Sequence, residues 1–234
     1  MKSSRLTNQI LPFLIMVSSF GFCMTLVLGF YRVSSAEVFA WRKPLVGSIF
    51  ALICFLGALG AVYPAKCSGV QLGHGGKTSL SASPSCSVVV KGHHFDCGKF
   101  STHTIRVRGH IFCASCTGLF IGGVGALVGT FLYFFTGWEM AQVGVLGVEV
   151  GVAFVIVGFL QLKFSGLARL VVNVLFVMGA FLILVGLDGL RESLFVDLFS
   201  ILLIVFWIFT RILLSEWDHS RICNECSVAC EVRK

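Results

Sequence analysis

Residues 167–188, LARLVVNVLFVMGAFLILVGLD, decide the fold. Between Arg169 and Asp188 run 18 residues without a charge, and Asn173 is their one strongly polar member. A hydrocarbon core of about 30 Å takes about 20 helical residues to cross, so the stretch predicts a transmembrane helix. Five further stretches meet the same criterion, near residues 9–31, 44–64, 111–135, 139–161 and 193–214. The expected fold class is therefore all-α, a polytopic membrane bundle of about six helices whose solvent is the lipid bilayer. The first stretch follows Lys2 and Arg5 as a signal peptide would, but its apolar run exceeds the roughly 7–15 residues of a signal core. It is read as a retained helix.

Composition agrees. Only 12% of the 234 residues are charged and 56% are hydrophobic, against roughly a quarter charged in soluble domains. The 26 glycines suit close helix packing and the 23 phenylalanines a lipid-facing surface. The formal charge of +7 could suggest nucleic acid, yet no run of five basic residues exists, and basic residues placed between apolar spans report topology instead. Nucleic acid is accordingly excluded as a partner. Self-association into a homo-oligomer is compatible with such a chain.

With the N-terminus inside, segments 1–8, 65–110, 162–169 and 211–234 are cytoplasmic and hold 14 of the 18 Lys and Arg residues. Arg32, Arg42, Lys43 and Arg191 fall outside. The positive-inside rule thus predicts a multi-pass protein of the cell membrane with both termini cytoplasmic. Four parts follow: a two-helix membrane part (1–65), a flexible Gly/Ser-rich connector (66–92), a Cys/His knuckle with a four-helix core (93–215), and a cysteine-rich tail (216–234). From Thr102 to Phe112 apolar residues alternate around Gly109, which predicts a short hairpin leading into the third helix. Gly118, Gly122, Gly125 and Gly129 in that helix, and Gly147 and Gly151 in the fourth, predict that these two pack as a tight pair.

The chemistry-bearing residues cluster on the cytoplasmic side. His93, His94 and Cys97 are followed by His103 and by the CxxC pair Cys113 and Cys116; the tail adds His219, a second CxxC, Cys223 and Cys226, and then Cys230. A CxxC turn brings two sulfurs to one edge of a tetrahedron, with Zn–S near about 2.3 Å, and a further Cys and His complete a four-ligand set. Zinc is the expected cofactor and an iron–sulfur cluster the alternative, since four thiolates suit both. One site joining loop and tail, or two local sites, both satisfy the spacing. Cys23 and Cys54, mid-helix, read as small hydrophobes; Cys67, Cys86 and His74 lie in the connector and are read against ligation.

The run HHFDCGKFSTHTIRVRGHIFCASCTGLFIGG, residues 93–123, resembles the signature of a family of microbial membrane proteins of unknown function, marked by an upstream Cys with nearby His and by CAxCTG entering a glycine-rich helix. The match runs through Cys97, Cys113, Cys116, Thr117 and Gly118 and extends over roughly residues 93–215. It implies membrane architecture and a functional cysteine cluster, and implies no substrate.

Glu149 falls near the middle of the fourth span, where an ionisable group is costly, and is expected to face the bundle interior. Asp188, Arg191, Glu192 and Asp197 are read as an interfacial charge cluster near the outer surface, Arg169 and Asn173 as residues able to face the cysteines, and Trp41, Trp138, Trp207 and Trp217 as interface anchors. No Walker A loop, GxSxG, HExxH or CxxCH occurs. Three readings stand: a metal-binding membrane protein, a membrane thiol–disulfide oxidoreductase using the CxxC pairs, and a soft-metal transporter carrying its cargo past Glu149.

Overall fold

The computed structural model describes residues 2–30, 40–62, 103–107, 110–138 and 144–224. Six helices dominate: α1 (Lys2–Phe30), α2 (Arg42–Val62), α3 (Ala114–Thr130), α4 (Gly144–Phe159), α5 (Gly166–Arg191) and α6 (Leu194–Asn224). A π-helical turn, Phe131–Phe135, prolongs α3, and a 3-10 turn, Leu160–Lys163, prolongs α4. Each of the six is long and apolar enough to cross a membrane, and a helix satisfies its backbone groups internally, as lipid demands. The chain is an all-α bundle that fits a multi-pass membrane protein. At its far end α6 runs to Asn224, so residues 216–224 of the stretch read as a tail continue the helix.

The polarity of the bundle is inverted relative to a soluble domain. Phe13, Phe20, Leu146, Leu167, Phe195 and Leu202 point outward, whereas Asn173, Asp188, Asp197, Thr130 and Thr210 are fully buried. The buried hydroxyls of Thr25, Thr130, Ser200 and Thr210 return hydrogen bonds to carbonyls one turn back in their own helices, which removes the cost of an unpaired polar group.

Helix α5 is the axis, lying between α3 and α4. A methyl group at Gly151 would sit 2.8 Å from the Gly179 carbonyl oxygen, and one at Gly186 2.9 Å from that of Gly144. Seven residues separate Gly144 from Gly151 and Gly179 from Gly186, two turns on one face, so α4 and α5 meet backbone to backbone. On α3, a methyl at Gly122 would lie 3.0 Å from Val177 Cβ and one at Gly129 2.6 Å from the Phe181 ring. The expected α3–α4 pair is therefore corrected: both glycine faces close on α5. Periodicity reveals a small-residue face but not the helix that meets it.

Two further expectations change. Trp207 is 1% exposed, stacked on Phe22 with ring centroids 4.7 Å apart, so it belongs to the core, unlike the exposed Trp41 and Trp138. Glu149 is exposed, on the α4 stripe shared with Leu146, Ala153, Ile156 and Leu160, while Val148, Gly151, Val152 and Val155 face inward. The apolar composition of α4 is nearly uniform, so sequence carried no sign of which side α5 would claim.

Candidate thiolate site

The hairpin forms as the alternation predicts. Strand β1 (Thr104–Val107) pairs antiparallel with β2 (His110–Cys113), and the register sets Thr104 opposite Cys113. Strand β1 therefore begins beside the CxxC. Strand β2 runs straight into α3: Cys113 is the N-cap, with extended backbone at φ −71° and ψ 117°, and Cys116 lies one turn along at the third helical position. Both thiols thus stand at the positive end of a helix, which favours a thiolate.

Each remaining residue of CASCTG has a structural role. Ala114 is fully buried. Ser115 Oγ accepts a hydrogen bond from Arg169 Nε at 3.0 Å. Thr117 donates from its hydroxyl to the Cys113 carbonyl at 2.9 Å, closing the first turn. At Gly118 a side chain would collide with the Leu170 carbonyl and lie 2.7 Å from Asn173 Cβ, so the absent Cβ is what lets α3 reach α5.

Beneath the thiols lie two arginines. Arg169 is 2% exposed and Arg211 5%; the first is electrostatically coupled to Cys113 and the second to Cys116. Arg169 Nη1 approaches His103 Nε2 at 3.0 Å, and Asp218 lies 3.9 Å from both Arg169 Nη2 and His103 Nε2. Arg211 donates from Nη2 to Gln161 Oε1 at 2.7 Å, and its guanidinium covers the Phe176 ring at 4.9 Å. Asn173 donates to the Arg169 carbonyl at 2.5 Å. A guanidinium has donors only, so at this contact His103 Nε2 is the acceptor.

Of the expected ligands, the structure brings Cys113, Cys116 and His103 to one end of the bundle. Cys223 lies in the last turn of α6, five residues past Asp218 and about 7.5 Å further along the axis. His93, His94, Cys97, Cys226 and Cys230 lie outside the described residues, as do Cys67, Cys86 and His74. Among the described residues no group of three or more His, Cys, Asp and Glu side chains is placed to hold a metal ion. Cys113 and Cys116 fit half of a tetrahedral thiolate set, and their cationic surroundings suit thiolates. Cys54 is buried, in keeping with its reading as a small hydrophobe.

Sequence reasoning overlooked Ser115, Gln161, Arg211 and Asp218. A signal existed for one of them: Arg211 falls inside the last apolar stretch, where an arginine is costly unless partnered. The outer charge cluster was also misplaced. Asp188 and Asp197 are 0% exposed and lie 2.8 and 2.6 Å from Arg42 Nη1. Only Glu192 and Ser193 separate α5 from α6, so aspartates one turn to either side converge inward instead of resting at the surface. Neither a protein-family model, a curated protein sequence nor a solved structure matches this chain, so the chemistry of the site is argued from its own residues.

Proposed function

We propose that this membrane protein is built around a cytoplasmic thiolate metal site in which Cys113 and Cys116 supply two ligands to zinc. Cys97 and either a histidine of the 93–94 pair or a tail cysteine from Cys223, Cys226 and Cys230 complete the set. The observation that carries the reading is the hairpin register, which starts β1 beside the CxxC; Cys97 precedes that strand by seven residues in the sequence. The buried guanidiniums support it, because a thiolate-rich zinc site is anionic and buried cations need a counter-charge. His103, which contacts Arg169 at 3.0 Å, is a further candidate for the fourth ligand. Kinship with the CAxCTG membrane family and the cytoplasmic orientation belong to the same proposal, the latter resting on the placement of 14 of 18 basic residues.

A second reading is favoured by the helix position of Cys113: an N-cap thiol with a partner one turn on suits a dithiol–disulfide couple. Elemental analysis of the purified full-length protein separates the two. Stoichiometric zinc, lost in Cys113→Ser and Cys116→Ser but kept in Cys23→Ser, is the expected result. Metal-free protein with a redox-titrating Cys113–Cys116 pair would replace the first reading by the second. The transporter reading loses its interior carrier, because Glu149 is exposed.

A further inference from the structure

At the end of the bundle opposite the hairpin, four elements deliver polar groups to one buried point: Arg42 from α2, Tyr133 from the π turn, Asp188 from α5 and Asp197 from α6. Arg42 is 4% exposed, Tyr133 6% and both aspartates 0%. Arg42 Nη1 hydrogen-bonds Asp197 Oδ2 at 2.6 Å and lies 2.8 Å from Asp188 Oδ1, and the Tyr133 hydroxyl donates to Asp188 Oδ2 at 2.7 Å. The π turn has a positional consequence, since the extra residue it accommodates aims Tyr133 at Asp188. The two carboxyl groups therefore meet at one nitrogen, Arg42 Nη1. Oδ1 of Asp197 is buried without a hydrogen-bond donor, and Oδ1 of Asp188 has only the Arg42 nitrogen that Asp197 Oδ2 also engages.

The two carboxylates share one guanidinium nitrogen. The other charged groups nearby are directed elsewhere. Arg191 is engaged with α1, donating from Nε to the Leu28 carbonyl at 2.7 Å and from Nη2 to the same oxygen. The Lys43 ammonium sits over the Tyr133 ring, 5.3 Å from its centroid. Glu192, in the turn, adds negative charge. The part of α4 packed nearest, around Gly144, carries no charge, and Arg32, Glu37 and Glu139 lie outside the described residues.

We infer that Asp188 and Asp197 form a proton-binding site in which one proton bridges the two carboxyl groups and Arg42 balances the remaining charge. A single proton supplies the donor that Asp197 Oδ1 lacks and relieves the repulsion between two buried carboxylates held on one nitrogen. The chemistry favours a proton over an alkali cation, because the Arg42 guanidinium already occupies the approach and would repel a second full cation. Tyr133 is a positioning residue, holding Asp188 by its other oxygen. The site lies in the last turn of α5 and the first turn of α6, so it answers to the acidity on the side opposite the thiols. Proton loss leaves two like charges facing across the shortest connection in the bundle.

Infrared spectroscopy of full-length protein in liposomes tests this, with carboxyl-13C aspartate incorporated so that Glu149 does not contribute. The labelled protein is expected to show one protonated-carboxyl stretch that shifts in heavy water and disappears at alkaline pH. Asp188→Asn and Asp197→Asn should each abolish the whole band, since the remaining carboxylate is matched by Arg42; Arg42→Gln should roughly double it. Tyr133→Phe should keep the band but change its frequency, and decides the matter alone if the asparagine variants do not fold. Absence of the band in folded wild-type protein, its full survival in either asparagine variant, an unchanged frequency in Tyr133→Phe, or its loss on adding sodium or potassium at constant pH would overturn the inference.

Discussion

Replacing Gly118 by alanine tests the link between the CxxC and the bundle most directly. The added Cβ would overlap the Leu170 carbonyl and lie 2.7 Å from Asn173 Cβ, whereas carbon atoms rest at about 3.5–4.0 Å. Helix α3 must therefore move away from α5 by about 1 Å at the turn that follows Cys116. Overpacking of this kind typically costs about 1–3 kcal/mol, partly offset by the roughly 0.8–1 kcal/mol by which alanine exceeds glycine as a helix former. Melting in detergent should fall by several degrees, taking about 2–4 °C per kcal/mol for a chain of this size. The same displacement stretches the 3.0 Å contact of Ser115 with Arg169, so metal content should fall together with stability. Gly57 and Gly60 on α2 supply the control, because a Cβ at either position meets nothing within 4 Å. Alanine there should leave melting unchanged or raise it. A Gly118→Ala protein as stable and as metal-loaded as the Gly57→Ala protein would refute the close α3–α5 contact and the dependence of the site on it.

Two further outcomes are expected. Arg211→Leu removes the cation beside Cys116 and leaves Gln161 Oε1 without its donor; metal content of the purified protein should drop severalfold, and Arg211→Lys should recover only part of it, because an ammonium cannot both cover Phe176 and reach Gln161. Glu149→Leu should accumulate in membranes at or above the wild-type level, since a carboxyl on an outward stripe costs up to about 2.5–3.5 kcal/mol at the helix centre on the insertion scale for acidic residues; poorer accumulation, read by quantitative blotting, would mean that Glu149 has a partner in a larger assembly.

What could be read in the sequence was what local chemistry dictates. Membrane spans declare themselves by length and apolarity, and the hairpin by its alternation up to Cys113. The roles within CASCTG were legible only in part: a CxxC names its thiols, but the reason for Gly118 lies in the Leu170 carbonyl, 52 residues away in the chain. Partner choice among helices was hidden because α3, α4 and α5 all carry small-residue faces, and any two of them would satisfy the pattern. Glu149 was misjudged for a related reason. A costly residue was assumed to turn inward, yet α4 gives its inward face to Gly151 and its neighbours, and the helix rotates to make that contact.

The buried charges of α5 oppose their own helix. Arg169 stands in its first turn, where the dipole is positive, and Asp188 in its last, where it is negative, so each is disfavoured by roughly 0.3–1 kcal/mol before desolvation is counted. Neither placement stabilises the helix, and both persist because something outside it compensates. For Asp188 that compensation is Arg42, reinforced by the Tyr133 hydroxyl. For Arg169 the described partners are a histidine ring nitrogen, a serine hydroxyl and Asp218 at 3.9 Å, which do not match a buried guanidinium as closely as the aspartates match Arg42. The thiol beside Arg169 is Cys113, and on the proposed reading a thiolate there, free or shared with a metal, supplies the missing charge. Arg211, buried in the middle of α6, likewise lies beside a thiol, Cys116 of α3. On the proposed reading, the CxxC supplies the anion that the two buried guanidiniums of the hairpin end lack.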